Sequence, residues 1–148
     1  MSDRIEKIVE LKAPVEKVWR ALTDHTEFSK WFGAELDGPF VPGKTTRGVV
    51  NGCGHGSIPL SVEVVKMEKP HLFSYKWHPA AIDPAVDYSQ EPLTLVEFRL
   101  EPIAAGTRLT VVESGFDAIP VGRRSAAFKM DEAGWGKQIE NIQKYVES

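Results

Sequence analysis

Apolar and polar residues along this chain keep two different rhythms, and the changes between them mark out its elements. Arg4 to Leu11 mixes apolar and charged residues in rough alternation, the pattern of a half-buried strand. Ala13-Pro14 interrupts it. Val15, Val18, Trp19 and Leu22 then recur at helical spacing, and Pro14 suits a first helical turn because its missing N–H would go unpaired there. This predicts a short helix over 14–23. A second follows, capped by Thr26, with Phe28, Trp31 and Phe32 on its apolar side and Gly33 ending it.

From there to residue 114 the period falls to two. Lys44–Val50 is a predicted strand, and Gly52-Cys53-Gly54-His55-Gly56 a turn. Ile58, Leu60, Val62 and Val64 alternate with Ser61, Glu63 and Val65 in the next strand. Phe73, Tyr75 and Trp77 alternate with Ser74 and Lys76 in another. Residues 78–92 make a connection rich in proline and aspartate, longer than most hairpin loops. Val96, Phe98 and Leu100 define a further strand, and Leu109, Val111 and Glu113 share one face of the last.

Helical spacing returns over roughly 121–147. Phe128, Trp135, Ile139, Ile142 and Val146 fall within a narrow arc. Burying each large member of that stripe contributes about 1.5–3 kcal/mol. The helix must therefore lie on the inward face of the sheet, the only large apolar surface on offer. The predicted fold class is α+β, in one domain over 1–148. A curved antiparallel sheet of about six strands grips a long C-terminal helix, with two short helices after the first strand.

Composition narrows the function classes. The 148 residues are 42% hydrophobic and 26% charged, with a formal net charge of -3, so no concentrated basic face for nucleic acid is expected. No apolar stretch is long enough to span a bilayer, and the N-terminus lacks signal-peptide character. The single cysteine, Cys53, excludes an internal disulfide and suits a reducing cytoplasm.

Several segments carry a family resemblance. Ala13-Pro14-Val15-Glu16-Lys17-Val18-Trp19, then Leu22-Thr23-Asp24 and Lys30-Trp31-Phe32, resemble the opening of the START-like or SRPBCC superfamily. The branch is similar to the C-terminal domain of the heat-shock-protein-90 ATPase activator. Trp77-His78, Asp87-Tyr88-Ser89, Glu91-Pro92 and Thr94-Leu95-Val96-Glu97-Phe98 look like a bacterial subgroup of it, as do Val112-Glu113-Ser114-Gly115-Phe116 and Gly134-Trp135. The resemblance implies the helix-grip fold over nearly the whole chain. It carries no single catalytic motif, because members include lipid carriers, cyclases, stress proteins and co-chaperone domains.

The fold leaves room for a cavity between sheet and C-terminal helix, and its lining is the candidate ligand site. The strands supply Leu60, Val62, Phe73, Tyr75 and Trp77, with Val96, Phe98, Val111 and Glu113 beyond them. Trp31, Phe40, Phe128 and Trp135 join from other elements. Glu113 is the distinctive member. A buried carboxylate without a partner is costly, so it should be protonated or paired. It is a polar anchor for a ligand, a general acid, or a strand-end carboxylate held by an arginine or a backbone amide.

His25, His55, His71 and His78, with Cys53 near His55, match no tetrahedral zinc spacing. The glycine turn lacks the lysine and following helix of a phosphate loop. No metal, cofactor or catalytic residue is therefore assigned. His78, Asp87, Tyr88 and Glu91 flank the long connection, either as a rim that gates the cavity or as turn residues. Three functions remain open. The first is binding of a small hydrophobic or amphipathic molecule: a lipid, polyketide or aromatic metabolite. The second is a stress-related interaction role with a heat-shock chaperone partner, and the third is a cyclase or hydrolase using the same cavity. A homodimer is compatible with each.

Overall fold

A computed structural model describes residues 4–51, 57–79 and 87–148. Strand β1 (Arg4–Leu11) leads into helices α1 (Val15–Thr23) and α2 (His25–Phe32). Then come β2 (Ala34–Leu36), β3 (Thr45–Asn51), β4 (Ser57–Glu68), β5 (Leu72–Trp77), β6 (Thr94–Ile103) and β7 (Gly106–Ser114). A single 3-10 turn at Phe116–Ala118 precedes helix α3 (Val121–Glu147). The seven strands form one sheet in the order β1-β7-β6-β5-β4-β3-β2, every neighbouring pair antiparallel. The architecture is the predicted helix-grip, with seven strands instead of about six. The extra one, β2, is three residues long, too short for alternation to show.

Two caps differ from expectation. Pro14 occupies the cap position of α1 and not its first turn; its carbonyl accepts the N–H groups of Lys17 and Val18 at 3.0 and 3.2 Å. Helix α2 begins at His25, so its cap is Asp24 and not Thr26. Asp24 Oδ1 accepts the N–H of Thr26 at 2.9 Å and of Glu27 at 3.3 Å, and the Thr26 hydroxyl donates to the same oxygen. Those backbone donors would otherwise be unpaired. Gly33 ends α2 with φ 84°, the left-handed conformation glycine adopts without strain. Strand β4 runs beyond Val65 because an irregularity between Val64 and Lys66 lets it continue out of phase. At Gly106, where β6 turns into β7, φ is 150° and a Cβ would collide with the Leu11 carbonyl oxygen. Glycine there lets β1 lie against the turn.

Strand register determines what faces the helix. Val64 pairs with Tyr75, Tyr75 with Val96, Val96 with Glu113 and Glu113 with Ile5. These five residues form one row across the sheet, and all are buried. The row beside it contains Phe73, Phe98 and Val111. Helix α3 lies over both, burying Ala127, Trp135, Ile142 and Val146, with Phe128 and Ile139 half-buried. Its C-terminal half is tied down by polar contacts. Gln138 Nε2 donates to the Phe32 carbonyl at 2.9 Å, and the Tyr145 hydroxyl donates to Glu27 at 3.0 Å. The Lys12 N–H donates to the Glu147 carboxylate at 2.9 Å. Among the described residues, no helix is long and apolar enough to cross a membrane.

Candidate functional site

Glu113 lies in the middle of the interior with 0% of its surface exposed. Alternation along β7 sends it inward with Leu109 and Val111. Its partners are neither an arginine nor a backbone amide. Trp135 Nε1 donates to Oε1 at 2.8 Å, Trp77 Nε1 donates to Oε2 at 2.9 Å, and the Thr94 hydroxyl donates to Oε2 at 2.6 Å. Thr94 reaches it because register places Thr94 opposite Trp77, in the row next to Glu113. All three contacts are donors, which the carboxyl oxygens accept through their lone pairs. Both indoles are oriented by this one residue.

Tyr75 sits in the same row, two strands away, which puts the two backbones about 10 Å apart. It is also fully buried, yet its hydroxyl has no hydrogen-bond partner. Burial pushes its phenol well above the usual tyrosine value, and the nearby Glu113 and Asp131 carboxylates push it further. Asp131 comes from α3, between Ala127 and Trp135 on the inward face, and its Oδ2 is shut off from solvent. His78, immediately after β5, is half-buried, and its Nδ1 is buried without a partner.

Aromatic rings enclose this polar group. Trp77 stacks on Trp135 with centroids 5.7 Å apart, and Phe98 meets Trp135 edge-on at 5.7 Å. Tyr75 lies 5.3 Å from Trp77 and 5.8 Å from Phe98. Five of the sequence candidates thus come together: Tyr75, Trp77, Phe98, Glu113 and Trp135. Phe73 stacks on Phe98 and continues the cluster to Phe40 at 5.1 Å. Val62, Val96 and Val111 are buried in the sheet's apolar face, and Leu60 is half-buried beside it. Trp31 belongs to a neighbouring cluster with Phe28 and Phe32, and its indole N–H is spent on the Ala21 carbonyl at 2.8 Å. Phe128 turns to Phe116, 5.2 Å away, and makes no ring contact with the Trp135 group. Ring-to-ring packing thus occupies much of the space that would otherwise be lining.

Sequence periodicity overlooks two members of this constellation. Thr94 opens β6, before alternation is established. Asp131 is polar within an apolar stripe, but its spacing from Ala127 and Trp135, four residues each way, was the available signal.

The rim residues are held from the helix. Arg123, in the first turn of α3, donates from Nη2 to Glu91 Oε1 at 2.7 Å and to the Pro79 carbonyl at 2.8 Å, while its Nε reaches both Glu91 oxygens at 3.0 Å. Its guanidinium lies 4.8 Å from the centre of the Tyr88 ring. Asp87 is a turn residue: it accepts the Ser89 N–H at 2.9 Å, and bonding to Ser89 holds its carboxyl below the usual range. A groove of about 530 Å³ lies elsewhere, lined by Glu16, Trp19, Arg20, Thr23, Asp24 and Lys69. It is open and polar, and Arg20 is already paired with Glu27 at 2.7 Å. Among the described residues no three His, Cys, Asp or Glu side chains could hold a metal; Cys53 and His55, with the glycine turn, lie outside them.

Comparison with solved structures places this architecture among START-like helix-grip proteins. Protein MLL2253 from Mesorhizobium loti is 27% identical with a TM-score of 0.74, the match covering 96% of this chain and 95% of that one. DynU16, a protein of the dynemicin biosynthetic locus, is 27% identical with a TM-score of 0.75. There the match covers 100% of this chain but only 48% of DynU16, so this chain spans about half that protein's length. The Aha1 dimer from Colwellia psychrerythraea shares the fold at 18% identity and a TM-score of 0.73, covering 99% of this chain and 97% of that one. A comparison with curated proteins gave no match. The family model described as Activator of Hsp90 ATPase homolog 1-like protein matches residues 12–147, and the chain belongs to that family.

Proposed function

We propose that this protein binds a small, largely apolar molecule on the inner face of the sheet, at the Tyr75 end of the polar and aromatic cluster. The observation that carries this reading is the Tyr75 hydroxyl, fully buried and without a hydrogen-bond partner. Leaving such a group unsatisfied costs about 1–3 kcal/mol, a penalty that a ligand supplying the missing bond removes. Trp77 and His78 are half-buried, so the cluster reaches the surface at the end of β5. DynU16 lends support as a relative from a biosynthetic locus. The single cysteine suits work in the cytoplasm.

The test is native mass spectrometry of freshly purified protein, together with the indole N–H resonances of Trp77 and Trp135 during titration with aromatic and alicyclic small molecules. A discrete bound species that shifts both indoles, and fails to do so in Tyr75→Phe, supports the reading. Binding that leaves both indoles unmoved overturns it.

The family match over 12–147 favours a second reading, a role facing a heat-shock chaperone. Stimulation of a heat-shock ATPase by the pure protein, undiminished in Tyr75→Phe, would transfer the function from the interior to the surface.

A further inference from the structure

Helix α3 is fastened unevenly along its 27 residues. Beyond Trp135 it buries Ile142 and Val146, and it is tied to α2 through Gln138 and Tyr145 and to the end of β1 through Glu147. Before Trp135 the grip is lighter. Ala127 is buried and Phe128 half-buried, while Val121 is 79% exposed and Met130 41%. Phe128 packs on Phe116, and Arg124 bonds the Ile119 and Asp117 carbonyls, so these contacts stay within the segment that leads into the helix. Arg123 reaches further, to Glu91 and the Pro79 carbonyl, at the two ends of the connection that follows β5.

Gly134 and Gly136 stand between the two halves, one on each side of Trp135. Space does not require glycine at either position. A Cβ there would meet nothing within 4 Å apart from its chain neighbours and the helix's own backbone, and neither residue has a positive φ. Alanine would fit both and favour the helix, each glycine weakening the local helical state by about fivefold against alanine. The weak turn has a fixed point, because the Trp135 indole is held by Glu113 at 2.8 Å.

The Tyr75 hydroxyl has no exposed surface, so anything that reaches it must pass an element that moves. Asp131, before the glycines, is near enough to raise the Tyr75 phenol, so the first half of α3 lies on the Tyr75 side of the interior. Resting on the small-ligand reading above, we infer that residues 121–133 are a gate over Tyr75, hinged at 134–136 about the pinned Trp135 and latched by Arg123 on Glu91. Opening swings the first half of the helix outward. The second half, with its ties to α2 and β1, stays seated and keeps the fold together. Closure then shuts the ligand away from water.

The test compares the parent with the double variant Gly134→Ala/Gly136→Ala, both as full chains. The N–H groups of residues 135–138 make helical bonds that cross the hinge. In the parent they should exchange faster than those of 142–146, and the double variant should slow them by at least about fivefold. Stopped-flow mixing with 1-naphthol, followed by the naphthol's own fluorescence, reads the gate. Association and dissociation should both slow by about fivefold or more in the double variant, with Kd held within about twofold. Arg123→Met, which removes the latch, should raise both rates. Equal protection of 135–138 and 142–146 in the parent overturns the hinge, whatever naphthol does. Naphthol rates unchanged by the two alanines overturn the gate and leave the small-ligand reading standing. Absence of naphthol binding counts against the small-ligand reading, and the exchange comparison then decides the hinge.

Discussion

One row across the sheet holds two buried polar side chains in opposite conditions. On β7, Glu113 accepts three donors; on β5, the Tyr75 hydroxyl has no partner. Val96 between them keeps the spacing, and Trp77 touches both. A folded chain normally pairs its buried polar groups. The β7 side does so, and its network fixes α3 to the sheet through Trp135. The β5 side does not, although an ordinary phenylalanine would fill the same space without a stranded hydroxyl. The contrast separates a structural pin from the unpaired hydroxyl on which the proposed binding role rests.

The comparison can be broken most forcefully at Glu113. Replacing it with leucine strands three donors, Trp77, Thr94 and Trp135, and is expected to lower the unfolding free energy in urea by about 3–5 kcal/mol. Trp135→Phe keeps most of the ring packing but leaves Glu113 Oε1 without its indole N–H. A loss of about 2–3 kcal/mol is expected by the same measurement. Thr94→Val removes one donor of two from Oε2 at nearly constant shape, and about 1.5 kcal/mol should go with it.

Arg123→Met tests the rim. The ion pair with Glu91 is partly exposed, at 23% and 17% of the two side chains, so the global loss should be about 1 kcal/mol. Its signature is local, as faster amide exchange at Glu91, whose N–H bonds the Tyr88 carbonyl.

The last expected effect has the opposite sign and sharpens the contrast most. Tyr75→Phe should raise stability at neutral pH, by up to about 1–3 kcal/mol, because it removes the stranded hydroxyl. The gain grows in base. Because the folded Tyr75 phenol titrates above its unfolded value, its contribution is intact below the unfolded pKa of about 10 and is lost as pH rises from there towards the folded value. The variant should therefore unfold less readily than the parent in alkaline titration followed by tryptophan fluorescence. A large loss at neutral pH would mean that the hydroxyl has a structural task, and the two ends of the row would no longer differ.

Much of this arrangement was legible in residue order. Alternation along β5, β6 and β7 placed Tyr75, Phe98 and Glu113 on one face, and the helical stripe placed Trp135 and Ile142 opposite them. Periodicity gives the face of a residue but not its row, because register depends on turns and bulges distributed along the sheet. The proximity of Trp77 and Trp135 to Glu113 was therefore hidden, as was the isolation of Tyr75. Phe128 satisfied the stripe but packs on Phe116, since the 3-10 turn before α3 brings that ring under the helix. Strand β2 and Thr94 escaped for want of length: neither offers enough alternating positions to be counted.

The placement of β1 beside β7 has a consequence for how the molecule assembles. Arg4 pairs with Ser114 and Leu11 with Thr107, so among the described residues the first strand finds its sheet neighbour about a hundred residues later in the sequence. Contacts this distant in sequence carry a large loop-closure penalty and slow folding. During synthesis β1 must wait, unpaired, until β7 has emerged. Its exposed residues are mostly charged, Arg4, Glu6 and Glu10 around Ile8, and those charges keep the waiting strand from pairing with another chain.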